Sequence, residues 1–179
     1  MSRQLDKNLV HYLKSASAMM PKRPGYKYTG MEGFYLAKGR LYPHAPYTEA
    51  EAKAIVRGIS ETAIVPAIKQ CFFNAQKLAA FGAFGYAEGY VLTDDLPIPL
   101  HHAWAVYRGK PVDVTIRRGE DKTTKDPMKL LVRASQNVVR AAYYGVEFPK
   151  SKFLAVWSEE GTARAMVDDW KHGFPLLRG

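Results

Sequence analysis

Cysteine is almost missing from this chain, since Cys71 is the single cysteine among 179 residues. One thiol excludes an intramolecular disulfide and any zinc site built on pairs of cysteines. A chain without disulfides fits a reducing compartment. We therefore expect a cytoplasmic protein in which Cys71 stays a thiol.

Long hydrophobic runs are also missing, because no window holds about 18 consecutive apolar residues. Near the N-terminus, Asp6, Lys7, His11 and Lys14 interrupt the kind of apolar stretch that a signal peptide needs. We therefore expect neither a signal peptide nor a membrane partner.

Acidic residues are the scarcer charged class, with 17 Asp and Glu against 26 Lys and Arg, which gives a net charge of +9. A positive field of this size favours nucleic acid, acidic proteins or anionic surfaces as partners. Basic residues gather in residues 1–40 and in a basic segment, residues 108–140. Each cluster also fits a solvated face that only keeps the protein soluble.

What is present is typical of a globular protein, with 47% hydrophobic and 12% aromatic residues. The length is suited to one domain. We divide it into an N-terminal arm (residues 1–45), a core (48–157) and a C-terminal helix and tail (158–179). The sequence predicts no cofactor and leaves the oligomeric state open.

Two helices are predicted before the middle of the chain. In "YTEAEAKAIVRGISETAIV", Thr48 and Glu51 form a capping box that predicts a helix from Glu49 to Val65. Pro66 ends or kinks it. A second helix, "QCFFNAQKLAAF", follows and is ended by Gly82.

An antiparallel meander is predicted next. "YAEGYVLT" alternates with the period of a strand, and "LHHAWAVYRGKPVDVT" predicts a hairpin that turns at Arg108 and Gly109. Further predictions are a short strand at 34–36, a helix at 127–143, a strand in "KFLAVWS" and a final helix in "SEEGTARAMVDDWKHG". The fold class expected is α+β.

Cys71 is the candidate nucleophile, since it lies near the start of the second helix. A thiol reacts as thiolate, and the positive end of a helix or an oriented imidazole stabilises that anion. The alternative is that Cys71 is one more buried small hydrophobic residue beside Phe72 and Leu78.

Strand parity in the hairpin pairs His102 with Asp113. A two-residue or a four-residue turn places both side chains on one face, whereas a three-residue turn separates them. His101 lies on the face opposite to His102 in every register. With Cys71, the set matches a nucleophile, its base and the group that orients the base.

These residues carry a family resemblance. A helix that opens with "C-x-x-N-A", then "Y-x-E-G-Y", "HAW" and "VDVT", resembles the transglutaminase-like branch of the papain-like cysteine enzymes, including small bacterial and phage proteins. The resemblance covers about residues 66–115 and implies a papain-like core in which a nucleophile helix packs on an antiparallel β-sheet. It implies Cys71 as nucleophile, His102 as general base and acid, and Asp113 as orienter. Val114 departs from it, since proline is usual there.

Four further residues are candidates for supporting roles. Gln70, Asn74 and Trp104 are predicted to contact the oxyanion or the substrate. Glu88 lies between tyrosines, and we expect it to pair with an arginine of the basic segment.

The function expected is cysteine-dependent acyl transfer on a protein or peptide substrate, as a peptidase, an amidase or a transglutaminase-like enzyme. The alternative is a catalytically degenerate basic binding protein of the same fold that engages nucleic acid or an acidic protein. A metal site built from Cys71, His101, His102 and Asp113 is the third option, although adjacent histidines on a strand point to opposite faces.

Overall fold

The computed structural model describes residues 2–117 and 123–178 and has an α+β fold. Seven α-helices and five strands occur in these ranges. The helices are α1 (Ser2–Met19), α2 (Gly30–Lys38), α3 (Glu49–Thr62), α4 (Cys71–Phe81), α5 (Pro127–Arg140), α6 (Lys150–Glu160) and α7 (Pro175–Arg178). The strands are β1 (Arg40–Leu41), β2 (Gly85–Thr93), β3 (Leu100–Tyr107), β4 (Lys110–Val112) and β5 (Ala141–Phe148).

All five strands belong to one antiparallel sheet in the order β1-β5-β2-β3-β4. The central strand β2 pairs with β3 on one side and with β5 on the other. Its side chains are buried from Tyr86 to Thr93, so both faces of the sheet are covered. No helix in the described ranges combines the length and the apolar character needed to cross a membrane.

The β3–β4 hairpin turns at Arg108 and Gly109 as predicted, and the turn has two residues, one of the lengths left open. Arg108 and Gly109 have φ angles of 48° and 77°, as a type I′ turn requires. Tyr107 then pairs with Lys110 and Ala105 with Val112. This even register places His102 and Asp113 on the same face.

The two predicted helices before the sheet are confirmed. Thr48 and Glu51 form the capping box at the start of α3. This helix ends at Thr62, three residues earlier than predicted, because Ala63 adopts a left-handed conformation with φ 46°. Helix α4 begins at Cys71 and ends before Gly82.

The N-terminal arm contains two helices, α1 and α2. Leu9 and Leu13 of α1 are fully buried and pack in a cluster with Tyr90 of β2. The predicted strand at 34–36 is wrong, since these residues lie in α2, where Phe34 and Tyr35 belong to the same cluster. Burial of these apolar faces against the sheet stabilises both helices.

The helix predicted at 127–143 is confirmed as α5, but it ends three residues early at Arg140, because the next residues pair with β2 along its length and form β5. Two other predictions in the last third are wrong. "KFLAVWS" lies in α6, with Phe153 and Val156 buried one turn apart. The predicted C-terminal helix is mostly irregular, with a 3-10 helix at Trp170–His172 and the short α7.

Candidate active site

Cys71 is the first residue of α4, which packs closely on β3. Its side chain is half-buried and lies close enough to the His102 ring to contribute to the raised pKa of that histidine. The first N–H groups of a helix have no acceptor within it and carry a partial positive charge. The sulfur is therefore close both to a helix N-terminus and to an imidazole.

His102 and Asp113 form a buried pair. The Nε2 atom of His102 is 2.8 Å from Oδ2 of Asp113, and the two residues are 5% and 1% exposed. Burial opposes a charged ring, but the Asp113 carboxylate, with a smaller contribution from Cys71, raises the pKa of His102 to about 10. A charged ring carries a proton on both nitrogens. Because Nε2 is engaged with Asp113, Nδ1 remains available as a donor on the other side of the ring.

Asp113 is held by donors on both of its oxygens. The amides of Thr115 and Ile116 donate to Oδ1 at 2.8 and 3.2 Å, and the hydroxyl of Tyr143 donates to Oδ2 at 3.0 Å. Burial opposes its charge, yet His102 and these amides keep the pKa of Asp113 below its ordinary value. The carboxylate therefore stays ionised and fixed in orientation.

Helix α5 fixes the backbone that carries Asp113. Asn137 donates to the carbonyl oxygens of Asp113 and Ile116, each at 3.0 Å. Arg133 is buried and donates to the carbonyl oxygen of Val114 at 2.8 Å. The sequence analysis did not find Asn137, Arg133 or Tyr143 as site residues, since all three come from elements that follow the hairpin.

The three residues predicted to contact the oxyanion or the substrate occupy different positions. Asn74 is fully buried and bonds to both backbone groups of Ala67 and to Thr115 Oγ1, so it holds the segment before Cys71. Trp104 is 1% exposed, and its ring stacks on His102 at 6.4 Å. Gln70 is exposed at the N-cap of α4, where its side chain is accessible.

His101 points away from the pair, as strand alternation predicts. Its Nε2 lies 2.9 Å from the hydroxyl of Tyr35, and burial lowers its pKa to about 4. Within residues 2–117 and 123–178, no three His, Cys, Asp or Glu side chains are grouped as metal ligands. His101 is thus a neutral residue of the core on the opposite face.

Glu88 pairs with no arginine among the described residues, contrary to expectation. It is fully buried on β2 and accepts hydrogen bonds from the hydroxyl of Tyr86 and from the amides of Met166 and Val167. Burial raises its pKa to about 7, although these donors oppose the shift. The carboxyl therefore joins the C-terminal segment to the sheet.

Several cations of the basic segment are engaged with protein acceptors. Lys110 pairs with Glu51 and Arg140 with Asp94, each at 2.7 Å. Arg117 donates to the carbonyl oxygen of Pro66 at 2.9 Å. Residues 118–122 of this segment lie outside the described ranges.

Exposed apolar side chains flank the site along the chain. Ile68 is three residues before Cys71, Phe73 is two residues after it, and Leu100 precedes His102 on the same face of β3; they are 61%, 38% and 41% exposed. Apolar residues at a partly open site favour contact with an apolar part of a ligand.

Comparisons of the chain with family models, with curated proteins and with solved structures found no match.

Proposed function

We propose that this protein is a cysteine-dependent acyl-transfer enzyme with a transglutaminase-like, papain-like core. Cys71 is the nucleophile, His102 the general base and acid, and Asp113 the orienting carboxylate. The observation that carries the proposal is the buried hydrogen bond of 2.8 Å between His102 and Asp113, with Cys71 against the same ring at the start of α4. This arrangement meets the requirements of an activated thiol.

The electrostatics favour a positively charged His102 ring in the resting site. His102 keeps its proton up to about pH 10, and a cationic ring in contact with a sulfur stabilises the thiolate. The helix N-terminus acts in the same direction. Both groups therefore favour the negative charge that the sulfur carries when it acts as a nucleophile.

In the first half-reaction, the Cys71 sulfur attacks a carbonyl carbon. A C–S bond forms, and the C=O electron pair moves onto oxygen. His102 gives its proton to the leaving nitrogen as the C–N bond breaks, which releases an amine and leaves a thioester on Cys71. Amide N–H groups in the first turn of α4, with the side chain of Gln70, are the candidate oxyanion donors.

In the second half-reaction, neutral His102 takes a proton from water or from an acceptor amine. The oxygen or nitrogen of that acceptor attacks the thioester carbon, and the C–S bond breaks. The thiolate of Cys71 returns beside a charged His102. Hydrolysis and transfer to an amine therefore use the same three side chains and differ only in the acceptor.

The alternative is a basic binding protein of the same fold that engages nucleic acid or an acidic partner. Lys110, Arg117, Arg133 and Arg140 are engaged with protein acceptors, which leaves fewer cations of the basic segment for phosphate contacts. A phosphate-driven contact is strongest at low salt, so lack of DNA and RNA binding at about 50 mM salt would exclude the nucleic-acid form.

Turnover of p-nitrophenyl acetate, followed by nitrophenolate release and intact mass, tests the enzyme proposal. We expect many turnovers per protein and an acetyl group trapped on Cys71. Cys71→Ser and His102→Ala should each lower the rate at least about 100-fold. His101→Ala is the matched control, since it removes the neighbouring imidazole on the other face. A single stoichiometric release, or equal rates in His102→Ala and the wild type, would refute the proposal.

A further inference from the structure

A cavity of about 220 Å³ opens between the loop that joins α1 to α2, the start of α2 and the C-terminal segment. Cys71, His102 and Asp113 are not among its lining residues, so it is separate from the candidate active site. Its lining combines aromatic rings with two carboxylates, which come from Tyr26, Tyr28, Phe174, Glu32 and Asp168.

Glu32 supplies a buried carboxylate in the wall of this cavity. It is 8% exposed, and its Oε1 accepts a hydrogen bond of 2.6 Å from the hydroxyl of Tyr90. In the part of the chain that the structure describes, neither its Oε2 atom nor its charge has a protein partner. A carboxylate removed from water is stabilised by a cation, so this wall favours a positive ligand.

Aromatic side chains form much of the remaining wall. Tyr26 and Tyr28 come from the loop before α2, and Phe174 from the segment before α7. The face of an aromatic ring attracts a cation, and aromatic cages are a common means of binding alkylated ammonium groups. Two rings of the cavity already have such contacts, since the Arg178 guanidinium lies 5.4 Å from the ring centre of Tyr26 and the Lys27 ammonium lies 5.8 Å from that of Tyr28.

We propose that this cavity binds an organic ammonium ion, with Glu32 as the counter-charge, Asp168 at the exposed edge, and the aromatic rings around the alkyl groups. The proposal does not depend on the chemistry of Cys71. The protein as a whole carries a net charge of +9, so the two carboxylates are a local exception to its field.

The lining disfavours other classes of ligand. Calcium takes six or more oxygen ligands, whereas this cavity offers only the carboxylates of two residues among mostly apolar side chains. An anion in the cavity would be repelled by the carboxylates of Glu32 and Asp168. Arg23 also lines the cavity, but it is exposed, and no ion pair joins it to either carboxylate among the described residues.

Calorimetric titration of the full chain with choline, compared with its neutral isostere 3,3-dimethylbutan-1-ol, tests the proposal. The two probes have the same shape and differ in charge. We expect one choline site per chain and at least about tenfold weaker binding of the alcohol. Glu32→Gln keeps an acceptor for Tyr90 and removes the charge, so choline should bind it at least about tenfold more weakly.

Glu49→Gln is the matched control, since it removes an exposed carboxylate on α3 and should leave choline binding unchanged. If Glu32→Gln does not fold, Asp168→Asn at the exposed edge should weaken choline binding at least about threefold. Phe174→Leu should also weaken choline more than the alcohol, because it removes a ring and keeps an apolar side chain. Equal binding of choline and the alcohol, displacement of choline by calcium, or absence of choline binding at about 10 mM would overturn the proposal.

Discussion

Tyr143 donates a hydrogen bond of 3.0 Å to Asp113 Oδ2, the same oxygen that lies 2.8 Å from His102. The tyrosine comes from β5, the hairpin carries the other two residues, and Cys71 comes from α4. The candidate site is therefore assembled from three separate parts of the chain. The orientation of the His102 ring depends on how firmly Asp113 is held.

Tyr143 is expected to act as a positioning residue. Tyr143→Phe should lower ester turnover about threefold to tenfold, because Asp113 loses one donor and holds the ring less firmly. It should also shift the basic limb of the pH–rate profile, which a merely structural change would not do. Tyr144→Phe is the matched control, since that hydroxyl bonds to the carbonyl of Leu36 on the other face. Equal profiles for Tyr143→Phe and the wild type would contradict the role.

Asn74 is expected to stabilise the segment that leads into α4. Its amide makes three hydrogen bonds, to Ala67 N, Ala67 O and Thr115 Oγ1. Asn74→Ala should lower the free energy of unfolding by about 2–3 kcal/mol, because it leaves buried polar groups without partners. Urea denaturation measures this loss. Gln136→Ala, at an exposed position of α5, should change stability by less than about 0.5 kcal/mol.

The contact between β2 and β5 depends on two facing glycines, Gly89 and Gly145. A Cβ atom on Gly89 would lie 2.0 Å from the carbonyl oxygen of Tyr144, which the backbone of β5 cannot avoid without moving. Gly89→Ala should therefore cost about 3 kcal/mol or more. Gly85→Ala on the same strand meets its nearest atom at 3.4 Å and should cost much less. Similar urea midpoints for the two variants would contradict this pairing.

Glu88 should make stability depend on pH. Its pKa is raised from 4.5 to about 7 in the folded protein, so the folded state holds a proton that the unfolded chain has released. Stability from this group is fully present below pH 4.5 and falls as the pH rises to about 7. His101, with its pKa lowered to about 4, has the opposite slope between pH 4 and 6.5.

The two slopes overlap, so the Glu88 effect is best measured as a difference. The melting temperatures of the wild type and Glu88→Gln should be compared from pH 4.5 to 7.5. We expect the wild type to lose stability relative to the variant as the pH rises. A constant difference across this range would show that Glu88 does not change protonation there.

The parts of the fold that local patterns determine were predictable. The capping box, the period-two alternation and the Arg108–Gly109 turn each depend on neighbouring residues, and they determine α3, β2 and the hairpin respectively. The turn length, which the sequence left open, decides that His102 rather than His101 faces Asp113. That pairing was the most informative prediction, because an even register leaves only His102 on the correct face.

The parts that depend on distant contacts were not predictable. The predicted helix ran on through "AAY" to residue 143, yet these residues open β5, in which Gly145 allows close approach to Gly89. "FLAVW" has strand-forming residues but lies in α6, where Phe153 packs against Tyr86. Tyr143 was missed at the site for the same reason, since a residue assigned to a helix end has no expected contact with Asp113.

The rate at which iodoacetamide alkylates Cys71 at pH 6 tests the central claim most directly. A free cysteine with an ordinary pKa near 8.5 is almost wholly protonated at that pH. The account predicts that Cys71 reacts at least about tenfold faster than free cysteine, and that His102→Ala removes this advantage while His101→Ala retains it. Alkylation no faster than that of free cysteine, or a rate unchanged by His102→Ala, would contradict it.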